Sequence, residues 1–150
     1  MSEAAPTEAL GLALQALAQK ERSVAELGKW LRGRGVAGYE AEEVVDHLIA
    51  IGTLDDERFA ARFAEDKREL SGWGSERIRA ALLERGINSA DVEAALAEDD
   101  DELARAERLL GERNIDLTDE RGRARALGLL ARRGYEAELA YEAVRRRAAG

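Results

Sequence analysis

The stretch Leu82-Leu83-Glu84-Arg85-Gly86 recurs as Leu130-Ala131-Arg132-Arg133-Gly134, and a related stretch, Leu31-Arg32-Gly33-Arg34-Gly35, precedes both. In each copy a leucine, an arginine and a glycine keep the same spacing and follow apolar residues at helical intervals. A glycine at this place predicts the end of a helix, because it adopts a left-handed conformation without strain. Three copies separated by about 50 residues predict an array of supersecondary units.

Each copy is followed by a second short segment with helical periodicity and preceded by another, which gives three helices per repeat. Ala, Leu, Glu and Arg dominate the composition, and Pro6 is the single proline. This composition favours helices throughout. The sequence therefore predicts an all-α fold of three tandem three-helix repeats in an elongated array. The predicted boundaries are a disordered tail over residues 1–9 and repeats over residues 10–52, 53–99 and 100–150.

Local signals place several helix starts. Ser23 and Glu26 have the spacing of a capping box ahead of the second helix. Ser75, after a glycine-rich turn, is the expected cap of the fifth helix. Asp55 and Asp56 precede an apolar stripe, and capping with dipole complementarity explains this carboxylate pair better than metal or acid–base chemistry does.

Composition and charge narrow the function. The chain has no cysteine and only one histidine, His47, and no nucleophile–base pair, phosphate-binding glycine loop or metal cluster stands out. We therefore expect no enzyme activity, no cofactor and no metal. A net charge of −8 argues against tight autonomous binding to duplex DNA. The N-terminus does not resemble a signal peptide, and no apolar run is long enough to span a membrane, so a cytoplasmic protein is expected.

Four ordered motifs resemble the RecX family of RecA regulators. They are Leu54-Asp55-Asp56-x-x-Phe59-Ala60, Gly72-Trp73-Gly74 followed by Arg77-Ile78-Arg79, Glu84-Arg85-Gly86-Ile87, and Leu130-Ala131-Arg132-Arg133-Gly134-Tyr135. Each motif is weak alone, but their order and separation on a three-triplet repeat are specific, and the similarity covers nearly the whole chain.

The resemblance implies an elongated, curved molecule that binds the RecA filament on single-stranded DNA. It further implies inhibition of the filament's ATP hydrolysis and strand exchange, in DNA repair and the SOS response, by a monomer without a membrane partner. Many family members are more basic than this chain, so direct DNA binding is expected to be weak here. Two alternatives from the residues alone are an autonomous helix-turn-helix-like DNA-binding module and a solenoid scaffold for an unrelated partner.

The candidate partner contacts are aromatic and arginine side chains, the types favoured at binding hot spots. Trp73 lies in a turn between two glycines, where it either folds back onto the second repeat or contacts a partner. Arginines in the last turn of a helix also interact favourably with the helix dipole, so a structural role is open for several of them. The candidate partner-binding residues are Trp73, Arg77, Arg79, Arg85, Arg125, Arg132 and Arg133.

Overall fold

A computed structural model of the chain describes residues 4–98 and 101–150, and these residues form nine α-helices and no strand. The helices are α1 (Ala4–Gln19), α2 (Val24–Gly33), α3 (Gly38–Ala50), α4 (Asp56–Ser71), α5 (Ser75–Glu84), α6 (Ser89–Ala97), α7 (Glu102–Glu112), α8 (Glu120–Arg132) and α9 (Ala137–Ala149). The predicted all-α fold of three helix triplets is confirmed. None of these helices is long and apolar enough to cross a membrane.

The N-terminal helix begins earlier than the sequence predicts. Residues 4–9, expected to belong to a disordered tail, are part of α1. A proline in the first turn permits this, because the N–H groups of that turn have no helical acceptor. Residues 1–3 of the predicted tail and the acidic pair at 99–100 lie outside the described residues.

The described chain forms two compact units whose limits differ from the predicted repeats. Unit 1 comprises the described residues of Met1–Ala60 and Leu82–Val92, and unit 2 comprises those of Ala61–Ala81 and Glu93–Gly150. Each helix of the middle triplet, α4, α5 and α6, therefore contributes residues to both units. The predicted repeat boundaries fall between α3 and α4 and between α6 and α7, and they remain a prediction.

Each unit has a core built from one complete helix triplet. In unit 1, α1, α2 and α3 pack together around fully buried Leu27, Leu31 and Leu48. In unit 2, α9 packs against α7 and α8 around Leu110 and Leu130. Burial of a leucine side chain contributes about 1.5–3 kcal/mol, so these apolar stripes are the main source of stability in each unit.

Candidate partner-binding site

Each unit contains a joint in which the N-terminus of one helix packs against a later helix turn. The first joint, in unit 1, joins residues 23–26 to Asp56 and to the turn at residues 85–86. The second joint, in unit 2, joins residues 74–77 to Glu102 and to the turn at residues 132–135. Equivalent helix positions make equivalent contacts in the two joints, and this explains why the middle triplet contributes to both units.

In each joint, the first backbone N–H of one helix donates to a carboxylate at the start of another helix. In the first joint, the N–H of Val24 donates to Oδ1 of Asp56 over 2.8 Å. In the second joint, the N–H of Ser75 donates to Oε1 of Glu102, also over 2.8 Å. Asp56 and Glu102 are the first residues of α4 and α7. Helix N-termini have N–H groups without helical acceptors, so these carboxylates tie two helices together.

The turn glycines allow the closest approach at each joint. Gly86 and Gly134 have φ values of +82° and +90°. A Cβ on Gly86 would lie 2.6 Å from Cβ of Ala25, and a Cβ on Gly134 would lie 2.5 Å from the backbone nitrogen of Arg77. The carbonyl before each glycine accepts a 2.7 Å hydrogen bond, from Oγ of Ser23 to Arg85 and from the N–H of Gly74 to Arg133.

The side chains at the third helical residue differ between the joints. In the first joint this residue is Glu26, which accepts two hydrogen bonds of 3.0 and 2.9 Å from the guanidinium of Arg85. The same guanidinium lies 4.6 Å from the ring centroid of Phe59. Arg85, a predicted partner contact, is thus held by a carboxylate and an aromatic ring inside unit 1.

The pKa of Glu26 reflects this contact. Burial acts to raise the pKa of Glu26, but the hydrogen bonds from Arg85 and from the N–H of Ser23 outweigh it and hold the pKa below its ordinary value. The capping box predicted for Ser23 and Glu26 is confirmed. The stabilising contribution of the ionised Glu26 carboxylate is present at neutral pH and is lost as the pH falls through the lowered pKa of Glu26.

In the second joint the third helical residue is Arg77, which is exposed and stacks on Trp73. Its Cζ lies 4.2 Å from the Trp73 ring centroid, and Nη1 donates to the carbonyl oxygen of Arg132 over 3.1 Å. Within the described residues no carboxylate forms an ion pair with Arg77. The third helical position therefore carries a paired carboxylate in the first joint. In the second joint it carries a cation that has no ion-pair partner among the described residues.

Trp73 is half-buried at the centre of a small cluster that we call the Trp73 cluster: Phe63, Lys67, Trp73 and Arg77. The Trp73 ring packs edge-on against Phe63, with centroids 6.2 Å apart, and Nζ of Lys67 lies 4.8 Å from its centroid. Cations near an aromatic face are attracted by its quadrupole. The Trp73 ring thus packs back onto α4, and two cations, Lys67 and Arg77, lie against it.

Two side chains that follow α8 hold the turn that carries Trp73. Nη1 of Arg133 donates to the carbonyl oxygen of Ser71 over 2.6 Å, and the buried Tyr135 hydroxyl donates to that of Gly72 over 2.7 Å. The second joint thus brings together four of the predicted residues, namely Trp73, Arg77, Arg132 and Arg133. A preorganised aromatic side chain loses little entropy when a partner binds it.

The other predicted residues have different surroundings. Arg79 forms a bidentate pair with Glu93 at 2.9 and 3.1 Å, which raises the pKa of Arg79 and lowers the pKa of Glu93. Arg125 is exposed on α8. Hydrogen bonds from Thr118 hold the pKa of Asp116 below its ordinary value, and the charge of Arg125 acts in the same direction.

Lys67 is not among the predicted contacts, although its spacing of four residues from Phe63 places both on one face of α4.

Asp56 gives the first joint a testable pH dependence. Burial raises the pKa of Asp56 above 3.8, and neighbouring carboxylates add to this against the lowering effect of the Val24 N–H. The stabilisation from a raised pKa is complete below the unfolded-state value and is lost as pH rises through the folded-state pKa. We therefore expect the variant Asp56→Asn, whose side-chain oxygen can still accept from Val24, to gain stability relative to the natural chain as pH rises through this window.

The gain should stay below about 1 kcal/mol, because Asp56 is only half-buried and water screens its charge. Urea unfolding of both proteins between pH 3 and pH 7 measures it. A difference in unfolding free energy that is constant over this range would show that ionisation of Asp56 does not affect the stability of the joint. The variant Asp56→Ala, which lacks both the titrating group and the acceptor, should lie about 1 kcal/mol below Asp56→Asn at every pH.

Comparisons with known proteins relate the chain to one family. A family model described as RecX, second three-helix domain, matches residues 55–96. The chain is 36% identical over 151 residues to the regulatory protein RecX of Mycobacterium leprae, covering 91% of this chain and 88% of that protein. It is 32% identical over 148 residues to the regulatory protein RecX of Mycolicibacterium vanbaalenii, covering 91% and 80% of the two chains. The crystal structure of RecX from Lactobacillus salivarius has the same fold, with a TM-score of 0.89 and 17% identity over 97% of this chain and 98% of that chain.

Proposed function

The chain belongs to the RecX family, and on this premise we propose that it is an inhibitor of the RecA recombinase. It binds the RecA filament on single-stranded DNA and lowers the filament's ATP hydrolysis and strand exchange, in DNA repair and the SOS response. It acts by binding, without catalysis or a cofactor, as a cytoplasmic monomer.

The observation that carries the choice of surface is the difference between the two joints. In both joints a distant carboxylate accepts from the first N–H of a helix, and the carbonyl before the turn glycine accepts a hydrogen bond, so the joint itself is structural. Among the residues that the structure describes, the second joint alone leaves a cation, Arg77, without a carboxylate and stacks it on a half-buried tryptophan. Tryptophan and arginine are the residue types that contribute most at protein interfaces. The Trp73 cluster, together with Arg132 and Arg133, is therefore the proposed contact with RecA.

Inhibition follows from differential binding. A ligand shifts an equilibrium only as far as its affinities for the two states differ. If the chain binds one arrangement of neighbouring RecA protomers more tightly than the arrangement that hydrolyses ATP, hydrolysis falls and the filament stalls or dissociates. A tenfold shift in that equilibrium requires a difference of about 1.4 kcal/mol, which one good interfacial contact supplies.

Charge favours a protein partner over naked DNA. By sequence, unit 1 carries 7 basic and 13 acidic side chains, and unit 2 carries 16 and 18. Affinity for DNA comes largely from neutralising phosphates, and neither unit has an excess of cations for this. The alternative, an autonomous DNA-binding module, requires the arginines of unit 2 to act despite this balance.

Cosedimentation tests the binding step directly. RecA filaments are assembled on single-stranded DNA with a slowly hydrolysed ATP analogue and pelleted with the chain at physiological salt. We expect the chain in the pellet only when RecA is present. Recovery with the DNA alone would favour the DNA-binding module, and recovery in neither pellet would contradict the proposed function.

A further inference from the structure

Unit 2 contains a cleft next to the Trp73 cluster, which we call the α4–α7 cleft. It lies between the C-terminal half of α4 with the turn that follows it and one side of α7, and its volume is about 770 Å³. This is within the range of about 300–1,000 Å³ that is typical of ligand sites. The cleft is large enough for a few side chains of a partner.

Two carboxylates on the α4 side of the cleft and two guanidinium groups on the α7 side have no partner among the described residues of the chain. Glu65 and Glu69 line it from α4, one helical turn apart. Arg108 and Arg113 line it from α7 and its C-terminus, and both are exposed. Over residues 4–98 and 101–150, none of these four side chains forms an ion pair or hydrogen bond with the rest of the chain.

Three arginines that also line the cleft have contacts inside the chain. Nη2 of Arg68 donates to the carbonyl oxygen of Ala95 over 2.9 Å, and Arg133 holds the carbonyl of Ser71. Arg105 is buried, with 8% of its surface exposed, and lies 5.8 Å from the Tyr135 ring centroid. Glu112 is an additional carboxylate on the α7 side.

An apolar surface lies along the same cleft. Leu70, in the last turn of α4, is 82% exposed and lines the cleft together with Trp73. A single exposed leucine has no special meaning, but beside a half-buried tryptophan it adds area that a partner can cover.

We propose that the α4–α7 cleft binds a segment of RecA that carries both an acidic and a basic side chain around an apolar one. The acidic side chain pairs with Arg108 and Arg113, the basic one pairs with Glu65 and Glu69, and the apolar one packs on Leu70 and Trp73. This inference rests on the proposed function and names the chemistry of the partner surface. A nucleic-acid strand fits less well, because its phosphates would meet the two glutamates.

Charge reversal on each side separates the two partners. The variants are Arg108→Glu/Arg113→Glu and Glu65→Lys/Glu69→Lys. The control is Glu98→Lys/Glu138→Lys, which makes the same change in net charge as Glu65→Lys/Glu69→Lys at exposed positions outside the cleft. Affinity for RecA filaments and for naked single-stranded DNA is measured by fluorescence anisotropy of the labelled chain. Circular dichroism checks that each variant folds.

We expect both cleft variants to bind RecA filaments at least about tenfold more weakly than the natural chain, with the control within about threefold. A nucleic-acid site predicts the opposite sign for Glu65→Lys/Glu69→Lys, namely tighter binding to filaments and to naked DNA than the control shows. That result, or cleft variants that bind like the control, would overturn the proposal while leaving the proposed function intact. Failure of the natural chain to bind filaments would contradict the proposed function, and the cleft proposal with it.

A photocrosslinking amino acid in place of Leu70 gives a second readout that does not depend on charge. We expect crosslinks to RecA protein in the assembled filament and none to the DNA strand. Crosslinks to DNA alone, or none to RecA under conditions where the modified chain cosediments with the filament, would contradict the proposal.

Discussion

Replacing Gly134 by alanine is expected to lower the free energy of unfolding by about 3 kcal/mol or more. Two effects add. A non-glycine residue in the left-handed conformation costs about 1–2 kcal/mol, and Gly134 has a φ of +90°. The new methyl group would also meet the backbone and Cβ of Arg77, and overpacking of this kind costs about 1–3 kcal/mol. Urea unfolding monitored by circular dichroism measures the loss.

The three turn glycines form a series that separates these two effects. Gly35 has a φ of +88°, and a Cβ there would meet nothing within 4 Å. The variant Gly35→Ala should therefore show only the backbone cost, while Gly86→Ala should add a contact with Cβ of Ala25 at 2.6 Å. Equal losses in all three variants would show that the joints tolerate the added methyl group and that the close approach contributes nothing.

Replacing Trp73 by alanine is expected to weaken inhibition of RecA about 30-fold, the equivalent of the 2 kcal/mol typical of an interfacial hot spot. The side chain is half-buried and already ordered by Phe63, Lys67 and Arg77, so a partner gains contact area at little entropic cost. The measurement is the concentration that halves single-stranded-DNA-dependent ATP hydrolysis by RecA.

Arg77 and Arg79 provide a matched pair for the same measurement. They lie two residues apart on α5, but Arg79 is held by Glu93 and Arg77 by no carboxylate among the described residues. We expect Arg77→Ala to weaken inhibition about tenfold and Arg79→Ala to weaken it by less than about threefold. Equal effects of the two changes, or full inhibition by a correctly folded Trp73→Ala variant, would remove the Trp73 cluster from the proposed interface.

The sequence predicts the helices well because their signals are local. Apolar residues at helical spacing mark the buried stripes, and the glycines at 35, 86 and 134 end their helices with positive φ as expected. The Ser23 capping box is also local, since its partners are three residues apart. The all-α class and the three triplets follow from these patterns.

The joints depend on contacts between residues far apart in sequence, which periodicity does not reveal. Ser75 is the clearest case, because the sequence predicts it as a helix cap, whereas it is the first helical residue of α5. Its N–H and Oγ donate to Glu102 over 2.8 and 2.9 Å. Asp56 likewise begins α4 but accepts from the N–H of Val24 in α2. Local rules assign such carboxylates to their own helix because the partner helix is unknown.

The candidate site shows the same limit. The sequence does not distinguish between the arginines of the site, but the structure gives them different surroundings: Arg85 pairs with Glu26, Arg79 pairs with Glu93, and Arg77 stacks on Trp73. The acidic residue at the third position of α2 and the basic one at the third position of α5 are visible in the sequence. Their different pairing can be inferred only when both positions are known to face a turn that carries an arginine.

The most direct test of the account is ATP hydrolysis by the cognate RecA on single-stranded DNA, with the chain titrated in and its binding to naked DNA followed by anisotropy at the same salt. We predict that hydrolysis falls at concentrations where naked DNA is still unbound. Unchanged hydrolysis would contradict the proposed regulation of RecA, and a fall seen only where the DNA itself is occupied would show competition for DNA instead.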